Sequence, residues 1–189
     1  MLPESVEEVF ETVQNKMDST VENLRRELSG IHAGRVTPSL LESVKVDYYG
    51  NPTPIPQVSN VSAPEPQMLV ISPWEKSMLK EVERALQGAN LGMSLSNDGN
   101  IIRATMPPLT EERRKERVKQ VKKLAEDAKV AVRNVRRDGN DTLKKMEKEK
   151  LISQDEEKGA QTEVQQATDE HVAQIDALVD SKEQELMND

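Results

Sequence analysis

The longest uninterrupted heptad pattern of the chain lies in residues 110–146, TEERRKERVKQVKKLAEDAKVAVRNVRRDGNDTLKKM. Small or apolar residues recur there at alternating steps of three and four, which is typical of a helix that packs along other helices. No proline interrupts the run, and a helix of about 40 residues is roughly 60 Å long. The predicted buried seam consists of Val118, Val121, Ala125, Ala128, Val132, Val135, Gly139, Thr142 and Met146.

Two further segments carry a seam of the same kind. One covers residues 4–29, and the other follows a capping box predicted at Ser153 and Glu156. Because no single helix buries its own seam, the three segments predict a three-helix bundle, and three helices suffice to close one core in a monomer. The seam residues of these two segments are Val6, Phe10, Val13, Met17, Leu24 and Leu28, then Val164, Ala167, His171, Ile175, Leu178 and Leu186.

The residues between the first and second helices have a different character. They hold most of the prolines, and short alternating or apolar runs at 44–49 and 68–72 predict strands. Residues 50–54 are predicted as a turn, 73–87 as a helix, and 97–100 as the turn of a hairpin. The predicted fold class is therefore α+β: a long three-helix bundle from residues 1–30 plus 106–189, with a small α+β domain, residues 31–105, inserted in it.

The chain crosses between the two predicted domains twice. The first crossing is rich in glycine and the second is bounded by proline, so two short linkers side by side favour a hinge. The residues predicted to form it are Gly30, Ile31, Gly34, Thr105, Met106 and Pro107.

Composition excludes several classes of protein. The 189 residues contain no cysteine, which excludes disulfides and cysteine-ligated zinc. No apolar run reaches the roughly 20 residues that span a bilayer, and no signal sequence is visible, so we expect a cytoplasmic protein without membrane contact. A glycine-rich phosphate loop, a serine nucleophile elbow and a paired-histidine motif are also missing. The sequence thus predicts no catalytic residue, no metal, no cofactor and no enzymatic activity.

Charge is distributed unevenly along the chain. The net charge is −8, yet residues 110–150 contain fifteen basic and nine acidic residues, whereas residues 151–189 contain two and eleven. Arginine suits phosphate because its planar guanidinium donates two hydrogen bonds at once. With four aromatic residues in the whole chain, contacts to phosphates and RNA shape are favoured over base stacking. The candidate RNA-binding side chains on one helix face are Lys115, Lys119, Lys122, Lys129, Arg133 and Arg136, with Asn134 and Arg137 beside them.

Two alternatives compete with RNA binding. The basic residues could simply pair with Glu126, Asp127 and Asp138 along the same helix, leaving a solvated face without a partner. A helical adapter or holdase-like chaperone would instead need exposed apolar residues outside the seams, which the heavily charged outer faces disfavour. A hydrolase is disfavoured because no nucleophile–base set is visible.

Several stretches together resemble the ribosome recycling factor family, in order and over nearly the whole chain. They are residues 34–41 (GRVTPSLL), 46–50 (VDYYG), 97–99 (NDG), 107–115 (PPLTEERRK), 130–138 (VAVRNVRRD) and 182–187 (KEQELM). The resemblance implies an L-shaped molecule of transfer-RNA-like dimensions that binds large-subunit ribosomal RNA near the A and P sites. It also implies that elongation factor G, using GTP, acts with this chain to separate the ribosomal subunits after termination, and that the chain itself binds no nucleotide.

The resemblance further assigns roles to individual residues. Arg133, Arg136 and Arg137 match the family's RNA-contacting arginines, and Arg35 matches its arginine beside the elbow. Three positions depart from the family pattern. His32 and Gln67 stand where a basic residue is common, so a charge contact at each is in question. Gly139 replaces a common alanine, from which we expect a locally softer bundle that Gly139→Ala would stabilise.

Overall fold

The computed structural model describes residues 1–32 and 34–188, and the chain divides into two compact units. Residues 1–32 and 112–188 form one, here called the helical unit, and the other, the mixed unit, lies within residues 33–111. The described residues form four α-helices, namely α1 (Val6–Ser29), α2 (Leu79–Gly88), α3 (Glu111–Lys148) and α4 (Gln154–Met187). Their six strands are β1 (Lys45–Tyr48), β2 (Asn51–Pro54), β3 (Ser59–Glu65), β4 (Met68–Pro73), β5 (Ser94–Asn97) and β6 (Ile102–Thr105).

The three long helices of the helical unit begin and end close to their predicted limits. At the start of α1 the Ser5 hydroxyl accepts a hydrogen bond from the backbone N–H of Glu8. The capping box at the start of α4 is confirmed: the Glu156 N–H donates to the Ser153 hydroxyl at 3.1 Å, and the Ser153 N–H donates to the Glu156 carboxylate at 2.7 Å. Such caps satisfy backbone donors that have no partner inside the helix.

Each long helix buries one stripe of side chains, as the heptad pattern predicts, but the stripe drifts. In α1, Val9 and Val21 are buried while the predicted Val6 and Phe10 are only partly buried. Near the end of α3, Leu143 replaces the predicted Thr142 in the core. An α-helix has 3.6 residues per turn rather than 3.5, so its inward face advances by about 20° per heptad.

Gly139 lies in the core where α3 approaches α1. An ideal Cβ built on Gly139 would lie 2.7 Å from Cγ2 of Val13, whose side chain is buried. Real Cβ atoms do not approach a neighbour so closely, and the branched side chain of Val13 has little rotamer freedom in a helix. The structure therefore does not support the expectation of a locally softer bundle, because the Val13 side chain occupies the space that a methyl group on residue 139 would need.

Gly139→Ala should lower the free energy of unfolding by about 1 kcal/mol. Overpacking a filled core costs roughly 1–3 kcal/mol, which outweighs the gain of about 1 kcal/mol in helix propensity. Urea denaturation of Gly139→Ala, Val13→Ala and the double variant measures the coupling between the two positions. The double variant should be more stable than the sum of the single effects implies, and a stabilised Gly139→Ala protein would contradict the packing argument.

The mixed unit contains two antiparallel sheets. β1 and β2 form a hairpin, and the remaining strands form a four-stranded sheet in the order β3-β4-β6-β5. The hairpin predicted around residues 97–100 is confirmed: β5 pairs with β6, Ser94 opposite Thr105 and Asn97 opposite Ile102. The fully buried side chains of this unit's core include Leu41, Ile55, Leu69, Ile71, Val82 and Ile102.

Two local predictions in the mixed unit were wrong, and one strand was not predicted. Residues 51–54 form β2 rather than part of a turn, because the reversal is confined to Tyr49 and Gly50, both at positive φ. Strand β3 was missed, since its serines, asparagine and proline give a weak strand signal at a sheet edge. The predicted helix from residue 73 starts later: Pro73 still belongs to β4, a short 3₁₀ turn covers Lys76–Met78, and α2 follows.

Candidate nucleic-acid interface

Three arginines of α3 form what we call the guanidinium cluster: Arg133, Arg136 and Arg137. Arg133 and Arg137 are exposed and Arg136 is partly buried. Within the part of the chain that the structure describes, none of the three forms an ion pair, and the Arg136 guanidinium donates a hydrogen bond to the neutral amide oxygen of Gln165 at 3.3 Å. The cluster therefore presents three uncompensated positive charges within about one and a half helical turns.

The lysines predicted beside the cluster are placed differently. The Lys129 ammonium lies 2.6 Å from the Asp176 carboxylate of α4, and its side chain is only 19% exposed. The Lys122 ammonium lies 3.9 Å from Glu183, also on α4, but its side chain is 65% exposed. The charge-pairing alternative thus describes Lys129 well, and most of the compensation comes from the neighbouring helix rather than from α3 itself.

The position of the cluster follows from helix geometry. Residues 133 and 137 are one turn apart and point the same way. Residue 136 is rotated toward α4, where its guanidinium donates the hydrogen bond to Gln165. Asn134 is exposed next to Arg133 and is available to a partner as donor and acceptor. The buried seam of α3 fixes the rotation of the helix, so the same heptad pattern that closes the core determines where the guanidiniums lie.

Arg35 belongs to the mixed unit and is exposed. The preceding Gly34 has φ +88, a conformation that favours glycine, and an ideal Cβ there would lie 3.3 Å from the Leu109 side chain. The following Val36 N–H donates to the Pro66 carbonyl at 2.8 Å. Arg35 is thus carried on backbone that is held on both sides within the mixed unit.

His32 and Gln67, which stand where the family commonly has a basic residue, lie in different environments. Burial lowers the pKa of His32, and the nearby cations Lys182 and Arg117 lower it further, against a smaller opposing effect of Glu185. The imidazole is consequently mostly neutral at pH 7 and supplies little positive charge. Gln67 is partly buried, and its backbone carbonyl accepts the N–H of Met106 at 2.8 Å, which gives this residue a structural contact.

The predicted hinge residues fall into distinct settings. Gly30 caps the end of α1, and Ile31 is buried with its N–H donated to the Leu28 carbonyl. Thr105 pairs with Met68 and Ser94 as the last residue of β6, and the hydrogen bond from Met106 to Gln67 extends this order by one residue. Residues 107–110 have no regular secondary structure, so the irregular part of the second linker begins at Pro107.

His171 is fully buried between α4 and α1. Its Nδ1 lies 2.6 Å from the Ala167 carbonyl, which can only accept, and its Nε2 lies 2.7 Å from Oδ1 of Asp18. Nδ1 is therefore the donor of the first contact, and the second contact joins the ring to the carboxylate. The seam pattern predicts a position at the edge of the core for His171, whereas the ring is fully buried, and the pattern gave no sign of Asp18. Among the described residues, no group of histidine and carboxylate side chains could hold a metal ion.

Comparison with known proteins agrees with the motifs. The family model described as ribosome recycling factor matches residues 24–187. The chain belongs to the ribosome recycling factor family. A ribosome-recycling factor from Geobacillus sp. (strain WCH70) is 55% identical over 182 residues, which cover 96% of this chain and 98% of that protein.

Two solved structures extend the similarity to the fold of ribosome recycling factors. A solution structure of the ribosome recycling factor matches with a TM-score of 0.80 at 37% identity and covers all of both chains. A second match has a TM-score of 0.62 at 42% identity and covers 97% of this chain and 99% of that one. It is titled as models for the T. thermophilus ribosome recycling factor and the E. coli elongation factor G bound to the E. coli post-termination complex. In the described ranges 1–32 and 34–188, no helix is long and apolar enough to cross a bilayer.

Proposed function

We propose that this chain binds the post-termination ribosome and, together with elongation factor G and GTP, promotes separation of the subunits. The guanidinium cluster contacts phosphates of large-subunit ribosomal RNA near the A and P sites. The observation that carries this assignment is the lack of any acidic partner for Arg133, Arg136 and Arg137 among the described residues, on a helix where Lys122 and Lys129 do have acidic partners on α4. The similar structure that is titled as models for a recycling factor and elongation factor G bound to a post-termination complex supports the choice of partners.

The remaining acidic surface favours binding in one orientation. Residues 151–189 contain two basic and eleven acidic residues, which repel a polyanion. Lys129 and Asp176 neutralise each other at the border between α3 and α4, so the attractive region ends there. We therefore expect docking on structured RNA rather than general adhesion to nucleic acid.

Light scattering of purified post-termination ribosomes tests the function. Addition of this chain with elongation factor G and GTP should cause a fall in scattering as subunits separate, and either factor alone should cause little change.

The chain alone should not hydrolyse GTP, since we propose that it is not an enzyme and needs no cofactor. We also propose that it acts as a cytoplasmic monomer, which sedimentation at micromolar concentration checks.

The two linkers between the units permit movement of the mixed unit while the helical unit stays on RNA. The proposal rests on the irregular backbone of residues 107–110, which follow the last strand of the mixed unit and precede α3. Because the chain has no cysteine, one cysteine can be introduced in each unit and joined by bismaleimide reagents of different length.

A short, rigid cross-link between the units should leave ribosome binding intact and reduce the splitting rate at least about tenfold, as expected for a gated conformational step. A long, flexible reagent on the same cysteines serves as the control and should preserve activity. Full splitting activity with the short cross-link would contradict the role of the hinge.

A further inference from the structure

A second surface feature lies in the mixed unit, on residues that the RNA assignment does not use. Tyr49 is 76% exposed and Trp74 is 68% exposed, which is unusual for large aromatic side chains. The carboxylate of Glu75 accepts hydrogen bonds from two tyrosines. The Tyr49 hydroxyl donates to one oxygen at 2.8 Å, and the Tyr48 hydroxyl donates to the other at 2.9 Å. We call Tyr48, Tyr49 and Glu75 the aromatic–carboxylate cluster. Trp74 directly precedes Glu75 in the chain.

Tyr49 is held in this position at a conformational cost. It occupies φ +50 at the tip of the β1–β2 hairpin, where glycine or asparagine would be favoured. The turn is fixed by the Gly50 N–H, which donates to the Asp47 carboxylate at 2.8 Å. The Tyr49 ring packs edge-on against Tyr48 with centroids 4.7 Å apart. A tyrosine kept at positive φ and left mostly in solvent does little for the core, and most of its ring surface stays accessible.

The chemistry of the cluster fits a cationic side chain. Each oxygen of Glu75 accepts one tyrosine hydroxyl and retains a free lone pair, and no basic side chain of residues 1–32 or 34–188 forms an ion pair with it. The hydrogen bonds to Glu75 raise the pKa of both tyrosines, so the phenols remain neutral donors. The exposed Tyr49 ring attracts a guanidinium or ammonium group by cation–π interaction, and the Glu75 carboxylate completes an ion pair.

We propose that the aromatic–carboxylate cluster binds an arginine or lysine side chain of a protein partner. RNA is disfavoured because Glu75 would face phosphates and because residues 34–111 hold six basic and eight acidic residues. The inference rests on the proposed function in one respect: we place the basic protein partner of the mixed unit on the same ribosomal assembly whose RNA the helical unit contacts. Aromatic residues that are rigid and exposed are typical anchors of such interfaces.

Fluorescence of Trp74 tests the proposal directly, since it is the only tryptophan of the chain. The full-length protein is titrated with a blocked triarginine peptide, a blocked triglutamate peptide and oligouridylate. Triarginine should change the emission saturably, and the other two should not. Glu75→Gln should weaken the apparent affinity at least about fivefold, the equivalent of roughly 1 kcal/mol from one lost ion pair.

Glu65→Gln is the matched control, because it removes the same charge from an exposed residue at the end of β3 and should leave the titration unchanged. Tyr49→Gly relieves the positive φ and should therefore keep the fold while reducing the response to triarginine. Equal responses of the parent protein and Glu75→Gln would overturn the proposal, as would a stronger response to oligouridylate. The titration contains no ribosome, so its failure leaves the proposed function standing, and a failure to split ribosomes leaves this result standing.

Discussion

Replacing Arg133 and Arg136 together by alanine should weaken binding to large ribosomal subunits roughly a hundredfold at physiological salt. Each guanidinium makes charge-assisted hydrogen bonds to phosphate, and a loss of about 1.4 kcal/mol for each is a factor of ten. Two lost phosphate contacts should also reduce the dependence of log K on log salt by about 2. Filter binding or sedimentation over a range of potassium concentrations measures both quantities.

Lys16→Ala combined with Lys158→Ala is the matched control for this pair. It removes the same charge from α1 and α4 without touching the guanidinium cluster, so its affinity should fall only slightly. Parental affinity of the arginine variant, with an unchanged salt slope, would contradict the assignment of the cluster. A similar loss in the control would mean that net charge alone, rather than this surface, governs binding.

His171→Ala should lower the free energy of unfolding by about 3 kcal/mol. The substitution leaves a cavity in a fully packed core and removes the hydrogen bond that joins α4 to Asp18 of α1. Removing the carboxylate instead, in Asp18→Ala, leaves a buried ring nitrogen without its closest acceptor and should cost about 1–2 kcal/mol. Urea denaturation monitored by circular dichroism gives both values.

The double variant completes the cycle. If the two side chains act through their mutual contact, adding Asp18→Ala to His171→Ala should lower the free energy of unfolding by at most about 0.5 kcal/mol more. Strict additivity would show that the 2.7 Å contact contributes nothing by itself. Ribosome binding at low temperature should be unaffected, because neither residue lies on the guanidinium cluster.

The long helices of the helical unit and most of their core positions could be predicted from the sequence, because the heptad pattern depends only on the spacing of residues within one helix. Val121, Ala125 and Val132 were placed in the core by spacing alone, and the capping box at Ser153 was readable from two residues. The basic residues on the outer face, lysines as well as arginines, were then the candidates for contact with a partner. Where spacing failed, at Thr142 and Phe10, the cause was the slow rotation of a 3.6-residue helix against a 3.5-residue pattern.

Features that depend on contacts between distant residues could not be predicted. The distance between Gly139 and Val13 depends on how closely α1 and α3 approach, and no local pattern encodes it. The same holds for Lys129 with Asp176, which decides that this lysine is compensated, and for the two tyrosines on Glu75. Strand β3 was missed because edge strands tolerate polar residues and proline, so pairing with β4 supplies the order that its sequence does not.

Directed hydroxyl-radical cleavage tests most directly whether the α3 face lies on ribosomal RNA. Val130 is 49% exposed on α3 near the guanidinium cluster, and Val130→Cys gives a single attachment point for an iron chelate without removing a charge. On bound large subunits it should cut ribosomal RNA at a few defined positions, and the same probe at Thr162→Cys on α4 should cut these positions weakly or not at all. Equal cleavage from the two sites, or none from residue 130 while the protein is bound, would contradict the account.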